Sequence, residues 1–119
     1  MAQREEIDDC IQLCKECADA CRDCAKTLED TDPGNGVIAL CEKGEQLCDE
    51  AVVDLQLDGA DAWETCVECA VRCDICAQAC DKVDIEACRI CATICRACAQ
   101  QCRQTATLLQ QEADKKARH

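Results

Sequence analysis

Fifteen of the seventeen cysteines fall into three runs: Cys10, Cys14, Cys17, Cys21 and Cys24; Cys66, Cys69, Cys73, Cys76 and Cys80; Cys88, Cys91, Cys95, Cys98 and Cys102. Gaps of three and four alternate without a slip, which is the a/d repeat of a helix that buries one stripe against its neighbours. A chain with this pattern folds with thiols as its core seam.

Little else is available to build that core. Across 119 residues Phe and Tyr are absent and Trp63 is the lone aromatic, so one domain must be packed from Cys, Ala, Leu, Ile and Val. Cysteine makes up about 14% of the chain, well above the roughly 8–10% that marks a disulfide scaffold in a short secreted protein. Yet the first residues, Met-Ala-Gln-Arg-Glu-Glu-Ile-Asp-Asp, hold no apolar stretch resembling a signal peptide. The expected compartment is therefore the cytoplasm, where thiols stay reduced. No run of about eighteen apolar residues is present, so no membrane span is expected. A net charge of -12 argues against nucleic acid or an anionic membrane as partner.

The chain divides at Asp32-Pro33-Gly34-Asn35-Gly36, at Asp58-Gly59 and near Asp84. These breaks predict four helices at about 4–30, 33–57, 61–82 and 84–113, and connections this short make neighbours antiparallel. The expected fold is all-α, an antiparallel up-down four-helix bundle with a cysteine-lined core, as a single domain over 1–119. Pro33 behind Asp32 reads as an N1 proline after its N-cap, and Asp61 with Glu64 as a capping box.

In helix 1 the cysteine register places Ile11, Leu13, Ala18, Ala20 and Ala25 beside the seam and leaves Lys15, Glu16, Asp19, Arg22, Asp23 and Lys26 outside. In helix 4 it places Ala92, Ala99 and Ala106 beside the seam and aligns Arg89, Arg96 and Arg103 outside, which reads as a solvated surface balancing acidic neighbours. Helix 2 differs, with only Cys41 and Cys48, while Gly44, Ala51 and Leu55 take the other seam positions. Gly44 costs about 1 kcal/mol of helix propensity, which points either to a close approach to its backbone or to simple packing economy. The up-down path gathers Ile7, Leu55, Leu57, Trp63, Leu108 and Leu109 at one end, which should be plugged. The other end gathers Cys24, Cys41, Cys80 and Cys88 near Leu28, Val37, Val83 and Ile85, and is the expected mouth. Val67, Val71, Ile75, Ile90, Ile94 and Ala97 lie off the seam, more apolar surface than a lone bundle needs, and suggest a homo-oligomer.

Residues three or four apart on a helix have Cβ atoms about 5–6 Å apart, so two sulfurs can converge on one atom between them. The i,i+4 pairs are Cys10/Cys14, Cys17/Cys21, Cys69/Cys73, Cys76/Cys80, Cys91/Cys95 and Cys98/Cys102; i,i+3 neighbours such as Cys14/Cys17 and Cys73/Cys76 overlap them. A soft ion satisfied by two or three sulfurs suits such an array, which describes Cu(I). Zinc wants four ligands and would need cross-helix partners at every layer, where helix 2 offers only two cysteines. Neither ferredoxin-type spacing is present. A native disulfide framework is disfavoured by the parallel Cβ directions along one helical face and by the odd cysteine count. Regular filling of fifteen seam positions also exceeds what inert packing requires. Burying many bare thiolates is prohibitive, so the empty thiols should be neutral, each Cu(I) replacing about one proton. If every sulfur bridges two metals, capacity is roughly 15–20 ions per chain.

Through its stacked Cys-x-x-x-Cys and Cys-x-x-Cys pairs on helices 1, 3 and 4, and its sparse Cys41 and Cys48 on helix 2, the chain resembles the bacterial copper-storage proteins over nearly its whole length. The resemblance implies a homotetramer of bundles, each holding many Cu(I) ions bound mainly by cysteine. All seventeen cysteines carry over as ligands. Secreted relatives also place Met and His near the mouth, whereas this sequence has only Met1 and His119, and His119 reads as a tail residue. The implied function is non-catalytic sequestration of cytosolic Cu(I), with a copper chaperone or low-molecular-weight thiol as donor and Cys24, Cys41, Cys80 and Cys88 making first contact. No catalytic constellation is present; the chain has no serine, and a Cys/His pair would depend on the remote His119. The alternatives are a metallothionein-like buffer for zinc or cadmium, and a thiol redox protein, whose motif normally sits in a βαβ setting.

Overall fold

The 3/4 alternation folds as it reads. A computed structural model describes residues 2–31 and 36–117, and in it four helices follow one another: α1 (Ala2–Thr31), α2 (Val37–Gln56), α3 (Ala62–Asp81) and α4 (Glu86–Ala117). The backbone of each helix lies against its two neighbours around the ring α1, α2, α3, α4, while the diagonal pair α1 and α3 meets only through side chains such as Cys17 and Cys73. That leaves one central column, into which all four seams point. The bundle measures 55 × 22 × 20 Å. Its length comes from α1 and α4, at 30 and 32 residues, which outreach the 20-residue α2 and α3.

The breaks have definite geometry. After α2, Leu57 is the C-cap, Asp58 adopts φ 55°, the Asp58 N–H donates to the Leu55 carbonyl at 3.3 Å and the Gly59 N–H to the Asp54 carbonyl at 3.1 Å. This pair of bonds is the Schellman motif, with Asp58 in the left-handed position often taken by glycine. At α3 the expected capping box is absent: Asp61 makes no side-chain cap bond, and the Glu64 N–H instead meets the Asp61 carbonyl at 3.0 Å. Helix 2 begins at Val37 rather than near 33, because Gly36 at φ 73° stands outside the helix. Asp32 and Pro33 lie outside the described residues.

Surface ion pairs tie the seams together. Arg96 pairs with Asp81 and Arg103 with Asp74 between α4 and α3, Arg89 pairs with Asp84, and Arg22 bonds Glu45 across α1 and α2 at 2.8 Å. The arginine row thus balances acidic neighbours. Ile7 and Leu55 are buried at the expected plug, and Trp63 and Leu109 pack against the core. Leu57 does not join them. At 74% exposure it lies in solvent, because a C-cap residue falls where the register that would carry it inward has ended. Val67, Val71, Ile75 and Ile90 are exposed, whereas Ile94 is partly covered. No described helix is long and apolar enough to cross a membrane.

Candidate metal centre

All seventeen cysteines are free thiols and all have 0% exposure. They stack into a continuous sulfur column. At one end Cys24 and Cys88 lie 3.2 Å apart, Cys24 and Cys80 3.9 Å, and Cys41 and Cys80 3.8 Å. Lower down, Cys21 meets Cys95 at 3.7 Å, Cys17 meets Cys95 at 3.6 Å and Cys48 meets Cys69 at 3.6 Å. At the far end Cys14 and Cys10 approach Cys102 at 3.6 and 3.8 Å.

The closest sulfurs therefore meet across helices rather than along them. Within a helix, Cys69/Cys73, Cys76/Cys80, Cys91/Cys95 and Cys98/Cys102 lie at 3.8–4.0 Å, as the i,i+4 spacing requires. The i,i+3 pairs Cys14/Cys17 and Cys73/Cys76 make no such contact among the described residues, since alternate seam positions lean toward different neighbours. Cross-helix convergence goes further. Four sets of four sulfurs each lie within 4.8 Å of one another: Cys14, Cys69, Cys98, Cys102; Cys17, Cys48, Cys73, Cys98; Cys21, Cys76, Cys91, Cys95; and Cys24, Cys41, Cys80, Cys91. The cross-helix partners that a four-coordinate ion needs are thus supplied even where α2 contributes none.

The thiols hydrogen-bond to one another, and this sets where charge can reside. Cys21 is lowered chiefly by Cys17, and Cys73 chiefly by Cys17 and Cys48, whereas Cys17 and Cys48 are themselves pushed up. At the other extreme, burial raises Cys24 and Cys88 and keeps these two thiols protonated. A proton removed from the column is thus drawn from a shared network, and an arriving soft cation exchanges for it.

Two features shape the column beyond sulfur. A Cβ on Gly44 would lie 3.3 Å from Cys21 Sγ and 3.9 Å from Cys76 Sγ, so the backbone approach inferred from sequence is an approach of sulfur. The other, Thr105, was not singled out from the sequence. It is fully buried, hydrogen-bonds Cys10 and accepts from Gln101 Nε2 at 3.3 Å. Its signal was available, because Thr105 continues the 3/4 alternation one step past Cys102. At the expected mouth the four cysteines do gather, but no sulfur is exposed: Leu28, one turn beyond Cys24, is wholly buried, and Val37, one turn before Cys41, nearly so. Met1 and His119 lie outside the described residues.

Fold and site together define a class: a helical bundle whose core is a container of thiols for soft metal ions. Residues 3–107 match the family described as Csp, copper storage protein, and the chain belongs to that family. Among solved structures, the Cu(I)-bound copper storage protein BsCsp3 is similar at 33% identity and TM-score 0.82, over 85% of this chain and 98% of that one. Apo copper storage protein 3 from Bacillus subtilis is similar at 35% identity and TM-score 0.77, over 82% and 95%. A Nitrosospira multiformis protein shares the fold at 24% identity and TM-score 0.78, over 88% and 98%. No curated protein matches the sequence.

Proposed function

We propose that this chain stores Cu(I) in the cytoplasm, non-catalytically, with all seventeen cysteines as ligands and a capacity of roughly 15–20 ions. One observation carries the reading: every sulfur is buried, and along the column sulfurs of different helices approach to 3.2–3.9 Å. Neighbouring sulfurs at that distance can share metals, and one Cu(I) per thiolate leaves the interior uncharged. Each ion arrives as a thiol loses its proton to solvent, so no redox step is needed. The Cu(I)-bound BsCsp3, whose fold this chain shares over most of its length, supports the cargo.

A redox role is less well supported, because the Cys-x-x-Cys pairs lie mid-helix and fully buried, out of reach of a partner disulfide. The exposed Val67, Val71, Ile75 and Ile90 on α3 and α4 support packing of bundles into a homo-oligomer, a tetramer by family resemblance. Copper would come from a chaperone or a low-molecular-weight thiol. Anaerobic titration of the reduced protein with Cu(I) against a strong chelator tests the reading. Saturation near the sulfur count supports it, and saturation at a handful of ions refutes it.

A further inference from the structure

The structure assigns the column a second cargo: divalent thiophilic d10 cations, Zn2+ or Cd2+, held in two dinuclear units, one bridged by Cys98 and the other by Cys91. The proposal rests on the same thiol container as the storage reading but not on copper.

A two- or three-coordinate ion needs no fourfold convergence of sulfur, yet the column provides it four times. Each set draws on at least three helices, and its sulfurs, which approach to 3.6–3.8 Å at their closest, all stay within 4.8 Å of one another; a planar square with such edges would need longer diagonals, so the donors surround a point. Tetrahedral zinc with Zn–S about 2.3 Å requires S···S edges of about 3.8 Å. The edges present match: Cys14–Cys98 is 3.8 Å and Cys98–Cys102 3.9 Å, while Cys21–Cys91 and Cys91–Cys95 are both 3.8 Å. Cadmium, slightly larger, takes longer edges, and the sulfurs of each set lie within 4.8 Å of one another.

The sharing pattern makes these units dinuclear. The first two sets have only Cys98 in common and the last two only Cys91, so each pair forms seven sulfurs around two positions with one bridge. Cys10, Cys66 and Cys88 fall outside both units. On binding, each ligating thiol forms its metal–sulfur bond and gives its proton to the buffer, with no change of oxidation state. Seven thiolates around two dications retain three negative charges, and the one described buried polar side chain, Thr105, is neutral. Bridged Cu(I) at one ion per sulfur leaves none. Copper loading should therefore expel the divalent ions.

The test is 113Cd NMR on the full-length, reduced, metal-free protein titrated anaerobically with 113Cd2+. Expected are about four cadmium ions per chain, as two pairs of resonances with scalar coupling inside each pair through the bridging sulfur. Cys98→Ser should abolish coupling in one pair and preserve the other, with Cys91→Ser doing the converse should the first variant lose its helical circular dichroism. Cys66→Ser should leave all four cadmium ions and both couplings intact while lowering Cu(I) capacity. Uncoupled resonances, a wild-type stoichiometry that does not reach two pairs, or loss of cadmium in Cys66→Ser would overturn the proposal. A normal Cu(I) saturation alongside failed cadmium pairing would sink this inference alone; failure with both metals would also sink the storage reading.

Discussion

Gly44→Ala separates what stabilises the bundle from what makes room in it. In a helix interior the substitution is worth about 0.8–1.0 kcal/mol in favour of folding, from propensity alone. Against this stands one tight contact: the new methyl meets Cys21 Sγ at 3.3 Å, with Cys76 Cβ and Sγ at 3.9 Å. Cys21 Sγ is the tip of a short side chain, and a shift of a few tenths of an ångström relieves the overlap. The metal-free, reduced variant should therefore be more stable by about 0.5 kcal/mol, or about 2–4 °C in Tm for a domain of this size. Copper binding should move the other way. Cys21 and Cys76 belong to one four-sulfur set, and a methyl between them occupies the volume an ion bridging them would fill, removing about one or two Cu(I) ions. Thermal melts of the metal-free protein, paired with chelator-competed Cu(I) titrations, read both quantities on one sample. A variant that is stabilised yet keeps full capacity and affinity would refute the idea that this glycine makes space for cargo.

Other outcomes follow from the ends of the column and from its protons. Leu28→Ala should speed both Cu(I) uptake and chelator extraction, followed by stopped-flow absorbance, while costing about 2–5 kcal/mol of metal-free stability; unchanged rates would show that uptake occurs elsewhere. Cys41→Ser should slow loading, because Cys41 stands beside Cys80 at 3.8 Å near the Leu28 end. Loading in weak buffer should release about one proton per copper, so apparent affinity falls about tenfold for each unit of acidification; proton release far from this ratio, read with a pH indicator, would contradict neutral starting thiols. For the metal-free fold, burial raises Cys24 and Cys88 above the ordinary 9.0. Their contribution is thus fully present below pH 9 and fades as pH climbs past it, since the unfolded chain ionises first. Denaturant melts should show this alkaline loss reduced in Cys88→Ser.

The helices and their inward faces were legible because one residue type marks the seam at every turn, and a 3/4 alternation fits only a helix packed on neighbours. End effects were less so. Asp61 and Glu64 have the residue types of a capping box, but backbone bonding at Asp61 takes the place of the side-chain cap. Leu57 is apolar and near the plug, yet the Schellman turn has already ended its register. Within the site, spacing along one helix revealed i,i+4 partners such as Cys98 and Cys102 but not which cysteines of other helices complete a set, because relative helix height is set by loops and caps. That gap is why four-coordinate metals looked poorly served from the sequence. Thr105 shares the seam register without carrying sulfur, so the cysteine pattern alone does not mark it.

A lining with no exposed sulfur, overlain by Leu28 near Cys24 and with Ile7 and Leu55 buried toward the opposite end, has a kinetic consequence. An ion inside meets no solvent, so its residence time is governed by how often helix termini fray, not by the strength of its bonds to cysteine. Such a reserve would ride out brief surges of competing ligands and discharge at a pace dictated by the breathing of the polypeptide.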